Sequence, residues 1–166
     1  MKKLKIVILG ITGSIGDSTC SIVRSNSERF EIVLASAHSN REKLLQLQSE
    51  FNIPKTVLTG VITKQENLGT KATLYYGEEN LINLLKDVDY DIVLNAISGS
   101  AGLFSSYTVL TRGKKLALAN KESLVMAGHL MSDISSPGQI IPVDSEHSAI
   151  FQCLGNHKGN EVGKLI

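Results

Sequence analysis

Gly10-Ile11-Thr12-Gly13-Ser14-Ile15-Gly16 constrains this chain more than any other stretch. It stands between an apolar run, Leu4 to Leu9, and a helix-like segment from Ile15 to Arg24. A strand, a glycine turn and a helix in that order open a βαβ unit of the kind that binds dinucleotides. Glycine supplies the positive φ of a tight turn, and a diphosphate can approach backbone only where no Cβ intervenes. The N–H groups and the positive end of the following helix then face the phosphates. The turn that Gly10 opens is therefore a candidate site for a cofactor's diphosphate. A plain tight turn has the same spacing, so the rest of the chain must decide.

The remainder alternates between the two periodicities. Strands are expected at Phe30 to Ser36, Lys55 to Leu58, Thr73 to Tyr76, Asp91 to Ala96, Lys115 to Ala119 and Gln139 to Val143. Helices are expected at Arg41 to Phe51, Glu78 to Lys86, Leu103 to Arg112, Glu122 to Met131 and, capped by Ser145, up to Leu154. In the Arg41 helix, Leu44, Leu47, Gln48 and Phe51 share one side; Gly113 closes the Leu103 helix. Thr59 to Lys71 has no usable period and reads as loop. This alternation predicts an α/β fold: a Rossmann-like, doubly wound, mainly parallel sheet with helices on both faces. Asn156 to Gly163 reads as a loop, and Lys164-Leu165-Ile166 as the first residues of a strand, which suggests a truncated chain, a short natural C-terminal tail being the alternative.

Composition removes several classes of function. Seventeen basic and sixteen acidic residues leave a net charge of +1, with no basic cluster, so nucleic acid and anionic membrane are not expected partners. No apolar run approaches the roughly 18 residues of a membrane span. Met1-Lys2-Lys3-Leu4 begins like a signal peptide, but its apolar part is short, breaks at Gly10 and lacks a cleavage site. Cys20 and Cys153 fit neither metal spacing nor a disulfide framework, and both are expected to be buried free thiols in a reducing cytoplasm.

The stretch after the second strand selects the cofactor. NAD sites place an acid there, about 20 residues past the glycines, to bind the ribose diol. Here the sequence is Ala35-Ser36-Ala37-His38-Ser39-Asn40-Arg41, without a carboxylate before Glu42. Hydroxyl, amide and guanidinium donors suit a 2′-phosphate instead, which favours NADP(H) with His38, Ser39, Asn40 and Arg41 as candidate contacts. Asn40 also stands where it can cap the following helix.

Two more polar clusters follow strands, where open α/β sheets place ligands: Asn120-Lys121-Glu122-Ser123 and Asp144-Ser145-Glu146-His147. Asp144 and Glu146, two apart, point the same way in an extended segment and offer hard oxygens to Mg²⁺ or Mn²⁺. Solvated acids at a helix start are the commoner occupants of such positions. His147 is a candidate ligand, acid–base group or hydrogen-bond partner; Lys121 is a candidate oxyanion or substrate contact.

With these residues in view, the chain closely resembles the 1-deoxy-D-xylulose 5-phosphate reductoisomerase family. The matching stretches are Ile8 to Gly16, Asn95-Ala96-Ile97-Ser98-Gly99, Leu118 to Val125 and Pro142-Val143-Asp144-Ser145-Glu146-His147. The resemblance implies an NADPH- and divalent-metal-dependent enzyme of non-mevalonate isoprenoid synthesis. In such an enzyme a phosphosugar rearranges its carbon skeleton to an aldehyde that NADPH reduces. It implies NADPH contacts at Thr12, Gly13, Ser14, Ile15, Asn120 and Glu122, and catalytic roles for Lys121 and Glu146. It also implies substrate contacts at Lys121, Ser145 and Glu146, metal ligands at Asp144 and Glu146, and a cytoplasmic homodimer. Many members read Gly-Lys-Asn where this chain has His38-Ser39-Asn40; Asn40 carries over, and Arg41 is the candidate replacement for the lysine. Ser98 and Ser100 also differ from the valine and alanine common there. Members are much longer, so the third metal carboxylate, the substrate-phosphate residues and a C-terminal helical domain fall beyond Ile166. Residues 1–143 are then the NADPH-binding domain and 144–166 the start of a metal-binding catalytic domain. The alternatives are a metal-independent NADP oxidoreductase on the same fold and, for the 166-residue chain, a non-catalytic nucleotide-binding module.

Overall fold

Strand β1 (Leu4–Leu9) divides its side chains between two hydrophobic cores. Val7 and Leu9 join one with Leu81, Leu85, Val109 and Met131; Ile6 and Ile8 join the other with Cys20, Val23 and Leu44. A strand buried on both faces reads as a continuous apolar run, which is why Ile6 to Leu9 carries no polar residue. The computed structural model describes residues 2–69, 71–155 and 164.

Along the chain follow α1 (Ser14–Ser25), β2 (Phe30–Ala37), α2 (Arg41–Phe51), β3 (Lys55–Leu58), β4 (Glu66–Asn67) and β5 (Thr73–Tyr76). Next come α3 (Glu78–Asp87), β6 (Ile92–Asn95), a 3₁₀ turn at Gly99–Gly102, α4 (Leu103–Thr111) and β7 (Lys115–Leu118). The last elements are α5 (Lys121–Ile134), β8 (Ile140–Pro142) and α6 (Ser145–Leu154). Among the described residues, eight strands form one sheet in the order β4-β5-β3-β2-β1-β6-β7-β8. Every pairing is parallel except β4 with β5. The expected doubly wound α/β architecture is therefore present, and the direction of winding reverses between β1 and β6.

Three differences from the sequence reading have physical causes. The segment Thr59 to Lys71 contains β4, whose two residues run antiparallel along the β5 edge and are too short to carry a period. Pairing of β1 with β2 shifts between Ile6 and Val7, leaving Val33 as an extra residue in β2. That bulge lets Ile32 enter one core and Leu34 the other, although in a regular strand they would share a face. The cap of α6 is Asp144 rather than Ser145: its carboxylate accepts the His147 N–H at 2.8 Å. The carboxylate at the residue before the first helical one reaches donors that a side chain inside the first turn does not.

Gly113, at φ +68°, ends α4 as expected, its N–H donating to the Leu110 carbonyl at 2.9 Å. Helix α5 is longer than expected but bends at Ala127, whose backbone is non-helical. The expected loop at Asn156 to Gly163 lies outside the described residues, as does the expected terminal strand apart from Lys164. Among the described residues, no helix is long and apolar enough to cross a membrane.

Candidate functional site

A cleft of about 520 Å³ opens at the ends of β1, β2, β3 and β6, where the winding reverses. Gly10, Thr12 and Gly13 form its middle, Ser36, Ala37, His38 and Thr59 one end, and Ala96, Ile97, Ser98 and Ala101 the other. Open α/β sheets place ligands at this point because the helices that follow neighbouring strands diverge there.

The glycines of the turn have different duties. Gly10 sits at φ +78°, and a Cβ there would lie 2.7 Å from the Ala96 carbonyl oxygen. A Cβ on Gly16 would lie 2.2 Å from the Ile11 oxygen. These two are needed for backbone-to-backbone packing, not for access as the sequence suggested. At Gly13 the nearest atom to a Cβ would be the Gly10 oxygen at 3.4 Å, so its bare backbone is left facing the cleft. Gly13 is also the N-cap of α1 and offers no side-chain acceptor, so side chains do not compete for the first-turn N–H groups. A diphosphate fits that arrangement.

Lys43 was not foreseen. Its Nζ donates to the Thr12 carbonyl at 3.1 Å and to Asp17 Oδ2 at 2.7 Å, tying α2 to the turn and setting a cation at its rim. No local pattern could have revealed it, because the contact spans 31 residues. Glu78 was also missed: it stands in the first turn of α3 and lines the cleft.

At the β2 end, His38 lines the cleft, with Nδ1 3.4 Å from Thr59 Oγ1. Ser39 is exposed; Asn40 caps α2 by accepting the Lys43 N–H at 3.1 Å. Arg41 lies outside the lining residues and is paired with Glu66 at 2.7 Å, Glu66 also accepting the Tyr76 hydroxyl. Tyr76 and Glu66 raise the Arg41 pKa; the Tyr76 and Arg41 bonds lower that of Glu66.

The structure brings the two later clusters together. Lys121, the first residue of α5, places Nζ 3.6 Å from Glu146 Oε1 on α6. Ser145 Oγ donates to Glu146 Oε2 at 2.8 Å. The Ser145 hydroxyl, backbone N–H and Lys121 charge hold the Glu146 carboxyl below its ordinary pKa. Burial pushes Asp144 up, but hydrogen bonds and electrostatic attraction from His147 outweigh this, leaving its pKa lowered. His147 is thus the partner of Asp144, Nδ1 to Oδ1 2.8 Å. Both acids offer the ionised oxygens a hard cation needs. Among the described residues, however, no group of three His, Cys, Asp or Glu could hold a metal ion. Asp144 and Glu146 supply two carboxylates of the kind hard cations take as ligands.

Asn120 is 3% exposed, its carboxamide turned inward. Glu122 is exposed on the first turn of α5. Neither lines the cleft, nor do Ser14 and Ile15, which begin α1.

A doubly wound sheet with a glycine turn at its switch point defines a Rossmann-like α/β protein. The sequence model of the 1-deoxy-D-xylulose 5-phosphate reductoisomerase family matches residues 6–128, and the chain belongs to that family. The reductoisomerase of Francisella tularensis subsp. novicida (strain U112) is 45% identical over 172 residues, covering 99% of this chain and 44% of its own length. The crystal structure of DOX-P reductoisomerase in complex with NADPH, fosmidomycin and magnesium superposes with a TM-score of 0.82 at 39% identity. It covers 92% of this chain and 39% of that one. The Zymomonas mobilis reductoisomerase in complex with NADPH gives a TM-score of 0.84 at 33% identity, over 94% of this chain and 42% of that one. The chain thus spans less than half the length of the relatives it matches.

Proposed function

We propose that this chain is the cofactor-binding part of an NADPH- and divalent-metal-dependent reductoisomerase. The reaction converts 1-deoxy-D-xylulose 5-phosphate to 2-C-methyl-D-erythritol 4-phosphate, a step of non-mevalonate isoprenoid biosynthesis. The observation that carries this reading is the approach of Lys121 to Glu146, 3.6 Å apart, following neighbouring strands β7 and β8 in a chain of this family.

Gly13 lets a diphosphate reach the first turn of α1, where backbone N–H groups of the Ser14 and Ile15 turn donate to it. His38 and Ser39 stand at the end of β2, where a 2′-phosphate is recognised, with Asn40 fixing the start of α2 beside them. NADPH, when bound, supplies the hydride. Asp144 and Glu146 would hold Mg²⁺ or Mn²⁺, which supplies Lewis-acid polarisation of a carbonyl. Lys121 offsets negative charge on a substrate oxygen, and Ser145 fixes the Glu146 carboxylate through its hydroxyl. Residues 1–143 serve as the nucleotide-binding domain and 144–166 begin the metal-binding one. The longer polypeptide works as a cytoplasmic homodimer.

Fluorescence titration tests the cofactor assignment: the 166-residue chain is expected to bind NADPH more tightly than NADH. Turnover of 1-deoxy-D-xylulose 5-phosphate is expected only from a polypeptide of the relatives' length, and to stop on chelation of divalent metal. In that polypeptide Asp144→Asn should weaken metal binding and turnover far more than NADPH binding. Activity that survives exhaustive chelation would overturn the metal assignment.

A further inference from the structure

Two buried asparagines, Asn95 and Asn120, end adjacent parallel strands or the residues just beyond them, and both grip one loop. Asn95 is fully buried and pairs with Leu118 across β6 and β7. Its Nδ2 donates to the Gly102 carbonyl and to Ser106 Oγ, each at 2.8 Å, while its Oδ1 accepts the Ile97 N–H at 3.2 Å. Asn120 Nδ2 donates to the Ile97 carbonyl and, at 2.6 Å, to the Gly99 carbonyl; its Oδ1 accepts the Ser123 N–H at 3.1 Å. A Cβ on Gly102 would lie 3.0 Å from the Nδ2 atoms of both, so glycine is what lets the loop settle between them.

The gripped segment, Ile97 to Gly102, contributes Ile97, Ser98 and Ala101 to the wall of the cleft opposite Ser36, His38 and Thr59. A dinucleotide crosses the switch point with its adenosine half at the second strand, so the other half meets this loop. A carboxamide is suited to the task, having two donors for carbonyls that leave the sheet and one acceptor for a returning N–H. All three functions of Asn95 are used inside the protein, and it touches no open part of the cleft.

We infer that Asn95 is a positioning residue for the nicotinamide half of the cofactor, acting through the Ile97–Gly102 loop together with Asn120. The inference rests on the cofactor reading above. It also assigns the Asn120 carboxamide to the loop, leaving only the backbone of that residue to meet a ligand.

The test is titration of the chain with NADPH and with adenosine 2′,5′-bisphosphate, which carries the adenosine half alone. Asn95→Ala is expected to weaken NADPH about tenfold, as supporting groups around a site typically do, while adenosine 2′,5′-bisphosphate affinity stays within about twofold. Exchange of the Ile97 amide with solvent should accelerate in the same variant. If Asn95→Ala does not fold, Ser106→Ala, which removes one of the three Asn95 partners, decides by the same selective loss at about threefold. Equal loss of both ligands, or none, would overturn the positioning role alone. Failure of the unaltered chain to bind either ligand would overturn the cofactor reading itself.

Discussion

Gly13 and Gly16 stand in the same turn, yet an added methyl group meets opposite surroundings at the two. At Gly16 it would be driven to 2.2 Å from the Ile11 oxygen, and backbone cannot give way as a flexible side chain does. Gly16→Ala is expected to cost about 3 kcal/mol or more, read as a lower midpoint in urea unfolding. Gly13→Ala should leave that midpoint nearly unchanged while weakening NADPH, because its methyl group would project where phosphate approaches. The residue spacing announced a turn without distinguishing these duties, since access and packing both demand glycine. Lys43 and Glu78 were hidden for a related reason: Lys43 reaches the glycine turn and Glu78 the cleft from helices distant in sequence, and nothing local marks either. Asn95 was not singled out either, although an asparagine closing an apolar strand needs partners once buried. Asp144 and Glu146 were readable as acids, but not that one would cap a helix and the other meet Lys121.

Helix α1 meets the sheet through Gly16, Cys20 and Val23, the spacing of one helical face. Burial raises the Cys20 thiol from 9.0 to about 11, against a smaller opposing effect of Arg24. In the unfolded chain the thiol ionises near pH 9.0, whereas in the fold it stays protonated to about 11. The unfolded state then binds fewer protons in that window, so stability is complete below it and falls as pH rises through it, by about 2 kcal/mol. Denaturant unfolding between pH 8 and 11 should show this loss, and Cys20→Ala should flatten it. Cys153, expected to be buried, is exposed on α6, so a thiol reagent at neutral pH should label it quickly and Cys20 only on unfolding. The main strands and helices were legible from their periods because each has one or two apolar faces. β4 and the bulge at Val33 were not, since both are set by neighbouring strands.

At the scale of the whole molecule, the cleft is a property of strand order rather than of any one segment. Its walls come from β1, β2, β3 and β6, so a bound ligand links elements far apart in sequence. NADPH at a hundred times its dissociation constant should therefore stabilise the entire fold by about 2.7 kcal/mol. Thermal unfolding should move up accordingly, and less with NADH at the same concentration; equal shifts would contradict selection for the 2′-phosphate. The central place of β1 has a further consequence for how the protein is made. One neighbour of β1, β2, begins at Phe30, but the other, β6, begins only at Ile92. Loop closure over such a separation is slow compared with local helix formation. During synthesis the strand on one side of the glycine turn thus emerges long before the one on the other, and the nucleotide site can be complete only after the Ile97–Gly102 loop has emerged. A ligand present in the cell can assist the later stages of folding, but not the first.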